Sequence, residues 1–396
     1  MKKFRLSLLW QIVIAIILGI VLGQFLPVPI ARIFVTFNGL FGNFLNFIIP
    51  LIIIGLIIPA IADLGKGAGR LLLITAAIAY GSTVFSGFFT YFTGEAIFPR
   101  LIADSVQTST AIDNPESMTL KPFFVVEMPA PLDIMTALLL SFCIGLGMAA
   151  IKGNTLRMAA GDFHDIVTLL IEKIIIPLLP LHIFGIFLNM TLSGQVASII
   201  SVFVKIIIVI FVLHILLLLI QFTLAGLIGK KNPLRLLKNM LPAYATALGT
   251  QSSAATIPVT LAQTLKNGVS KNIATFVIPL CATIHLSGST MKITACAMAI
   301  MMMAGIPVNT FDFSGFILML GITMVAAPGV PGGAIMAALG VLEGMLGFDE
   351  TAQALMIALY IAMDSFGTAC NVTGDGAIAV VVDQINGKKE IPMQHS

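Results

Sequence analysis

Apolar residues fill the first half of the chain in blocks of about 20 or more. That is the length a helix rising 1.5 Å per residue needs to cross a ~30 Å hydrocarbon layer. The blocks predict spanning helices at 7–26, 38–62, 71–97, 131–152, 164–192 and 196–228, and six crossings return the chain to the side on which it starts. Lys2, Lys3 and Arg5 precede the first block and no small-residue cleavage site follows Gln24, so this block reads as a retained helix.

The second half is apolar too, but interrupted. Residues 239–264 carry Gly249-Thr250-Gln251-Ser252-Ser253-Ala254-Ala255-Thr256-Ile257-Pro258, and residues 312–347 carry Ala327-Pro328-Gly329-Val330-Pro331-Gly332-Gly333-Ala334. The apolar arms on either side are too short to span, which predicts two re-entrant hairpins with non-helical tips. Such backbone is tolerated at membrane depth only against protein or a wet cavity. After each hairpin comes a full-length helix with a polar break, His285-Leu286-Ser287-Gly288-Ser289-Thr290 in the first and Asn371-Val372-Thr373-Gly374-Asp375-Gly376 in the second. Hairpin then broken helix, twice, reads as an inverted repeat with a midplane substrate site.

Composition agrees: of 396 residues 58% are hydrophobic and 10% charged, against about 25% charged in soluble domains. Basic residues cluster at Lys66/Arg70, Lys152/Arg157, Lys230/Lys231/Arg235/Lys238, Lys266/Lys271 and Lys388/Lys389, whereas 99–129 carries Asp104, Asp113, Glu116 and Glu127. The positive-inside rule therefore predicts a multi-pass protein of the cytoplasmic (inner) membrane with both termini cytoplasmic and the 99–129 loop outside. The basic groups are scattered along one membrane side, which excludes nucleic acid as a partner and leaves membrane lipid and a small molecule. Cys143, Cys281, Cys296 and Cys370 lie in apolar segments at spacings that match no metal pattern, so they read as small buried hydrophobes with no resident cofactor.

The polar residues inside the apolar segments carry the chemistry. A carboxylate at the centre of a spanning helix costs about 2.5–3.5 kcal/mol and needs a partner or a function. Asp364, Thr368, Asn371 and Asp375 fall within a sector of about 60° on one helix face, a wall suited to a cation or an ammonium group. Lys292 can bind a substrate carboxylate beside this stripe or pair with Asp364. His285, if protonated near Asp375, supplies the charge a metal ion would otherwise bring. Gln251, Ser252 and Ser253 offer hydroxyls, an amide and backbone N–H groups at a half-helix start. Lys205 and His214 read as interfacial or packing groups, and Glu172/Lys173 as a local pair.

These residues resemble the dicarboxylate/amino acid:cation symporters, the family of the glutamate-transporter homologues. The likeness runs over essentially the whole chain. It is strongest at Ser252-Ser253-Ala254-Ala255-Thr256-Ile257-Pro258-Val259-Thr260, Gly329-Val330-Pro331-Gly332-Gly333-Ala334 and Asn371-Val372-Thr373-Gly374-Asp375. It implies an all-α polytopic fold of eight transmembrane helices and two re-entrant helical hairpins in inverted repeats, assembled as a homotrimer. Residues 1–228 would form mainly the trimerisation scaffold, with the third and sixth helices moving with the transport domain. Residues 229–396 would form that domain: hairpin 1 at about 231–267, helix 7 at about 271–305, hairpin 2 at about 312–347 and helix 8 at about 351–385. By the same likeness Asp364 binds a substrate amino group and Asn371 a substrate α-carboxylate. Ser252, Ser253, Thr368 and Val330-Pro331-Gly332 line the pocket, and Asn371 and Asp375 hold a sodium ion.

Three departures from the family pattern shape the functional reading. The seventh-helix break usually reads Asn-Met-Asp-Gly-Thr, and His285-Leu286-Ser287-Gly288-Ser289 removes an amide and a carboxylate from sodium ligation. The matching third-helix positions fall at Thr75, Ile78 and Ala79, of which the last two offer no side-chain oxygen. Gly367 replaces the arginine that clamps a side-chain carboxylate in acidic-amino-acid members, and Lys292 stands where an aromatic is usual. The reading is an elevator-type secondary symporter moving a small amino acid, acidic or neutral, with a sodium ion or proton. Asp375, His285 and Lys292 are its coupling candidates, and a C4-dicarboxylate is the alternative cargo. A channel would require a continuous polar stripe through the nearly uncharged first-half helices. An enzyme built on His285, Asp364 and Ser253 lacks any Gly-x-Ser-x-Gly elbow.

Overall fold

The computed structural model describes residues 8–65, 70–107, 120–194, 196–327 and 331–386. Lys2, Lys3, Arg5, Lys66, Asp113, Glu116, Val330, Lys388 and Lys389 lie outside them, as does the side chain of Asp104. Each first-half block is helical: α1 (Leu8–Gly23), α2 (Val28–Gly65), α3 (Arg70–Gln107), α4 (Ile134–Ala150), α5 (Thr155–Leu170), α6 (Ile176–Leu192) and α7 (Val196–Gly229). A single π-helical turn, Ile171–Ile175, joins α5 to α6 and carries Glu172 and Lys173. Among the described residues six helical stretches are long and apolar enough to cross a membrane: 28–62, 70–102, 155–192, 200–229, 271–303 and 364–386.

Hydrophobicity alone does not separate inside from outside here. On α7, Val204, Ile208, Val212 and Ile215 are 50–60% exposed, while Ile206, Ile210, Leu213 and Leu217 are buried. Both rows are aliphatic, as expected where the surrounding solvent is itself hydrocarbon. Cys143 corrects the sequence reading for this reason: it faces outward on α4, whereas Cys281, Cys296 and Cys370 are buried. Close approach depends on small residues instead. A Cβ on Gly19 of α1 would stand 2.7 Å from the Phe184 carbonyl oxygen of α6, and one on Gly23 2.7 Å from Thr191 Cβ.

The second half consists of shorter helices in four consecutive pairs: α8 (Pro233–Thr250) and α9 (Ser253–Lys266), α10 (Lys271–Ile284) and α11 (Ser287–Met303), α12 (Thr310–Ala326) and α13 (Gly333–Leu346), α14 (Glu350–Ala362) and α15 (Asp364–Asn386). Local chemistry sets their starts. The side chains of Asn232, Ser252, Asn309 and Asp349 accept a backbone N–H of the first turn of α8, α9, α12 and α14, and Pro233 occupies the first helical position of α8. Gln251 closes α8 in the left-handed region at φ 54. The 14 residues of α9 and of α13 give about 21 Å each, short of a bilayer.

The second polar break differs from expectation. α15 runs unbroken through Asn371–Gly376, and the interruption lies eight residues before Asn371 at Met363, between α14 and α15. The glycines read as a break serve close packing. A Cβ on Gly374 would stand 2.7 Å from Gln221 Oε1, and one on Gly376 2.7 Å from Met240 Cε.

Packing sorts the helices into two groups. α2 lies along α4, α5 and α6, and α1 lies along α6. α3 and α7 turn instead to the second half: α3 packs on α11, α10 and α12, and α7 on α15, α8 and α11.

Candidate functional site

Interrupting a helix strands backbone groups that lose their i±4 partners, and in a buried segment each must be satisfied. At the α10–α11 break His285 is extended and Leu286 lies outside the helical region, and polar side chains from three other helices hydrogen-bond the first-turn backbone of α11. Asn371 Oδ1 of α15 accepts the N–H of Gly288 at 2.7 Å and of Ser289 at 3.3 Å, while its Nδ2 donates to Ser289 Oγ at 3.1 Å. Ser86 of α3 donates to the Ser287 carbonyl at 2.8 Å, and His214 Nε2 of α7 lies 3.1 Å from the Gly288 carbonyl. Gly288 admits this crowding: a Cβ there would stand 2.7 Å from the Gly367 carbonyl oxygen.

His285 reaches across the break. Its Nδ1 is 2.9 Å from Asp375 Oδ1, and both residues are about 99% buried. The other ring nitrogen is 3.0 Å from Ser82 Oγ of α3. Gln221 Nε2 of α7 donates to Ser82 Oγ at 3.0 Å and to Ser287 Oγ at 3.2 Å. The oxygens expected to hold a sodium ion, Asn371 Oδ1 and Asp375 Oδ1, are thus both engaged with nitrogen groups in this arrangement.

Beside this network lies the second break. Asp364 opens α15, where a carboxylate complements the helix dipole. Lys292 Nζ of α11, fully buried, lies 3.2 Å from Asp364 Oδ1, 3.4 Å from the Met363 carbonyl oxygen and 3.6 Å from the centroid of the Tyr360 ring. Of the two roles open to Lys292 in the sequence, the pairing with Asp364 is the one observed. Gly367 makes room for it, because a Cβ there would collide with Lys292 Cε and Nζ. The other carboxylate oxygen of Asp364 accepts the Gly332 N–H at 2.9 Å, which ties the start of α13 to the start of α15.

Of the remaining expected residues, Ser252 caps α9 and Ser253 is buried at its first position. Pro331 sits half-buried in the turn before Gly332. Gln251 Nε2 donates to Ser365 Oγ at 2.7 Å, joining the α8–α9 link to α15. Thr368, one turn from Asp364, is buried and its hydroxyl has no hydrogen-bond partner among the described residues. Asp364, Thr368, Asn371, Asp375, His285 and Lys292 are therefore gathered around α11 and α15.

Several participants were missed in the sequence. On α3 the residues that meet the break are Ser82 and Ser86, two turns beyond Thr75, whose hydroxyl turns back to the Leu71 carbonyl. The signal was a pair of serines four apart in an apolar helix. His214 and Gln221, seven apart on α7, were a comparable signal, and His214 is correctly a member of the network rather than a packing group. Lys205 Nζ donates to the Leu101 carbonyl at 3.0 Å. Tyr360 donates to Ser289 Oγ at 3.0 Å.

Comparison with known proteins now bears on this arrangement. Serine/threonine transporter SstT of Acinetobacter baylyi is 25% identical over 96% of this chain and 98% of its own length. The protein of the same name from Acinetobacter baumannii is 26% identical over 96% and 97%. Excitatory amino acid transporter 1 of Rattus norvegicus is 34% identical over a shorter stretch, 40% of this chain and 30% of its own. The sequence model of the sodium:dicarboxylate symporter family matches residues 8–385, which takes in both helix breaks, and the chain belongs to that family.

Proposed function

We propose that this integral membrane protein, a cation-coupled symporter by family and not an enzyme, carries a small neutral amino acid through the site around Asp364, Thr368 and Asn371. The observation that carries the reading is the buried Asp364 carboxylate at the start of α15, beside the unpartnered Thr368 hydroxyl, in a chain whose full-length relatives are named serine/threonine transporters. Asp364 receives the substrate ammonium, and the start of α13 at Pro331 and Gly332 covers it. The link around Ser252 and Ser253 covers the opposite side. Gly367, where a side-chain clamp would need a charge, favours a neutral over an acidic cargo.

The His285–Asp375 pair is the coupling centre in this proposal. The imidazole stands against the carboxylate oxygen that a sodium ion would use, which supports a proton as the coupling ion at this pair. The packing of α3 and α7 on the second half supports a transport domain of residues 229–396 that moves with those two helices. Elevator movement, re-entrant hairpins, the homotrimer, the cytoplasmic-membrane location and the cytoplasmic termini follow the family likeness. A C4-dicarboxylate is the second reading, favoured by the buried Lys292 cation. The test is uptake of labelled serine, alanine, aspartate and succinate into proteoliposomes under an imposed sodium gradient and, separately, a proton gradient. Serine and alanine uptake driven by the proton gradient is the expected result. Uptake of succinate alone would overturn the substrate, and uptake only under sodium would overturn the coupling centre.

A further inference from the structure

The Lys292–Asp364 pair is not accounted for by holding the fold together. Charge-assisted N–H···O bonds run about 2.7–2.9 Å, and the ammonium of Lys292 is 3.2 Å from Asp364 and 3.4 Å from the Met363 carbonyl oxygen. The pair is closed and buried but loosely seated. Its two charges sum to zero. An isolated ammonium arriving at Asp364 would leave Lys292 buried and uncompensated, and an isolated carboxylate arriving at Lys292 would do the same to Asp364, each at the cost of an unpaired buried charge. A zwitterion avoids both costs, because it brings one charge of each sign. The Thr368 hydroxyl, buried one turn from Asp364 without a partner among the described residues, is a polar group still to be satisfied at the same place.

We infer that Lys292 is a specificity-determining residue: a tethered ammonium that occupies Asp364 in the empty carrier and, when an α-amino acid enters, gives up Asp364 to the substrate ammonium and takes the substrate carboxylate. Opening the pair and inserting the zwitterion conserves the net charge of the site, so the carrier selects molecules bearing both groups. An uncharged side chain keeps that sum at zero, and an acidic one does not. Gly367 is part of the device, since its missing side chain is the space in which Lys292 lies. The inference rests on the proposal that the cargo is an amino acid, and its test is built to separate the two.

The experiment measures competition against labelled alanine uptake in proteoliposomes by three probes of one size: alanine, lactate, which lacks the ammonium, and alaninamide, which lacks the carboxylate. The unmodified carrier is expected to be inhibited by alanine at concentrations at least about tenfold lower than by either single-charge probe, the smallest effect expected of a lost charge-assisted hydrogen bond. In Lys292→Gln the preference for alanine over alaninamide collapses, and Lys292→Arg retains it. Equal inhibition by lactate in the unmodified carrier overturns the inference, because Lys292 then serves as a standing substitute for the substrate amine. An unchanged preference in Lys292→Gln overturns it as well, while the amino-acid reading stands. No alanine uptake by the unmodified carrier removes the amino-acid reading and this inference with it. Should Lys292→Gln fail to fold, Lys292→Arg carries the comparison, and equal inhibition by alanine and lactate in the unmodified carrier still overturns the inference.

Discussion

Removing one charge of the buried Lys292–Asp364 pair should destabilise the protein more than removing both. At 3.2 Å and an effective dielectric of about 20, the Coulomb attraction is about 5 kcal/mol. Much of that offsets desolvation of two fully buried groups. What a single substitution exposes is the charge left behind, and breaking one side of a buried pair costs about 3–5 kcal/mol. Asp364→Asn retains an oxygen for the Gly332 N–H but turns its amide NH2 toward the Lys292 ammonium, so its effect combines the lost charge with a donor facing a donor. Lys292→Met retains most of the stem that fills the space over Gly367 and against Tyr360. Each single variant is expected to lose about 3 kcal/mol or more, and the double variant, left with no unpaired charge, less than either. The assay is equilibrium unfolding by a denaturing detergent, followed by circular dichroism, for all four corners of the cycle. A double variant whose loss equals the sum of the singles would refute the reasoning, because the two charges would then contribute independently.

Asn371→Ala takes the acceptor from two buried N–H groups of α11, at about 1–3 kcal/mol each, so a loss of about 2–6 kcal/mol is expected in the same unfolding assay. A fully stable variant that no longer transports would assign Asn371 to substrate instead of to the helix break. Gly288→Ala would drive a Cβ to 2.7 Å from a backbone carbonyl oxygen that has little freedom to yield, and should cost about 1–3 kcal/mol, read as faster proteolysis of purified protein. Unchanged proteolysis would mean that α11 and α15 separate easily. His285→Asn with Ser287→Asp frees Asp375 from the imidazole and adds a carboxylate at the break, so uptake should become more dependent on sodium. An unaltered cation profile would count against a coupling centre at His285 and Asp375.

What the sequence disclosed follows from which forces write themselves into it. The first-half helices were legible within a few residues at most ends because water exclusion demands long apolar runs. The outward rows of α7 and the exposed position of Cys143 were not, since a lipid-facing side chain and a buried one have the same polarity. Asp364, Asn371 and Asp375 stood out because carboxylates and amides are costly in such a segment. The placement of the second break at Asn371–Gly376 failed for a related reason: glycines and polar residues mark both an interrupted helix and a helix that others approach closely. Gly374 and Gly376 belong to the second kind, with Gln221, His285 and Met240 against them. Ser82, Ser86 and Gln221 escaped notice, and His214 was read as an interfacial or packing group, because a polar side chain in an apolar helix acquires meaning only once the groups it satisfies are known.

Those stranded groups also bear on how variants of this carrier should be interpreted. Asn371 holds the first turn of α11, His285 and Ser82 sit between α3 and α15, and Asp364 ties α13 to α15 through Gly332. Each residue proposed to meet substrate or ion is at the same time a joint between helices. Transport requires these joints to open and close, so their hydrogen bonds have to be satisfied in the closed state yet exchangeable. The Lys292 ammonium at 3.2 Å from Asp364, the Ser289 N–H at 3.3 Å from Asn371 and the buried Thr368 hydroxyl, without a partner among the described residues, have that character. A substitution that abolishes uptake is therefore informative about binding only when unfolding is measured beside it. Where stability rises as transport falls, the lost function was the opening of a joint.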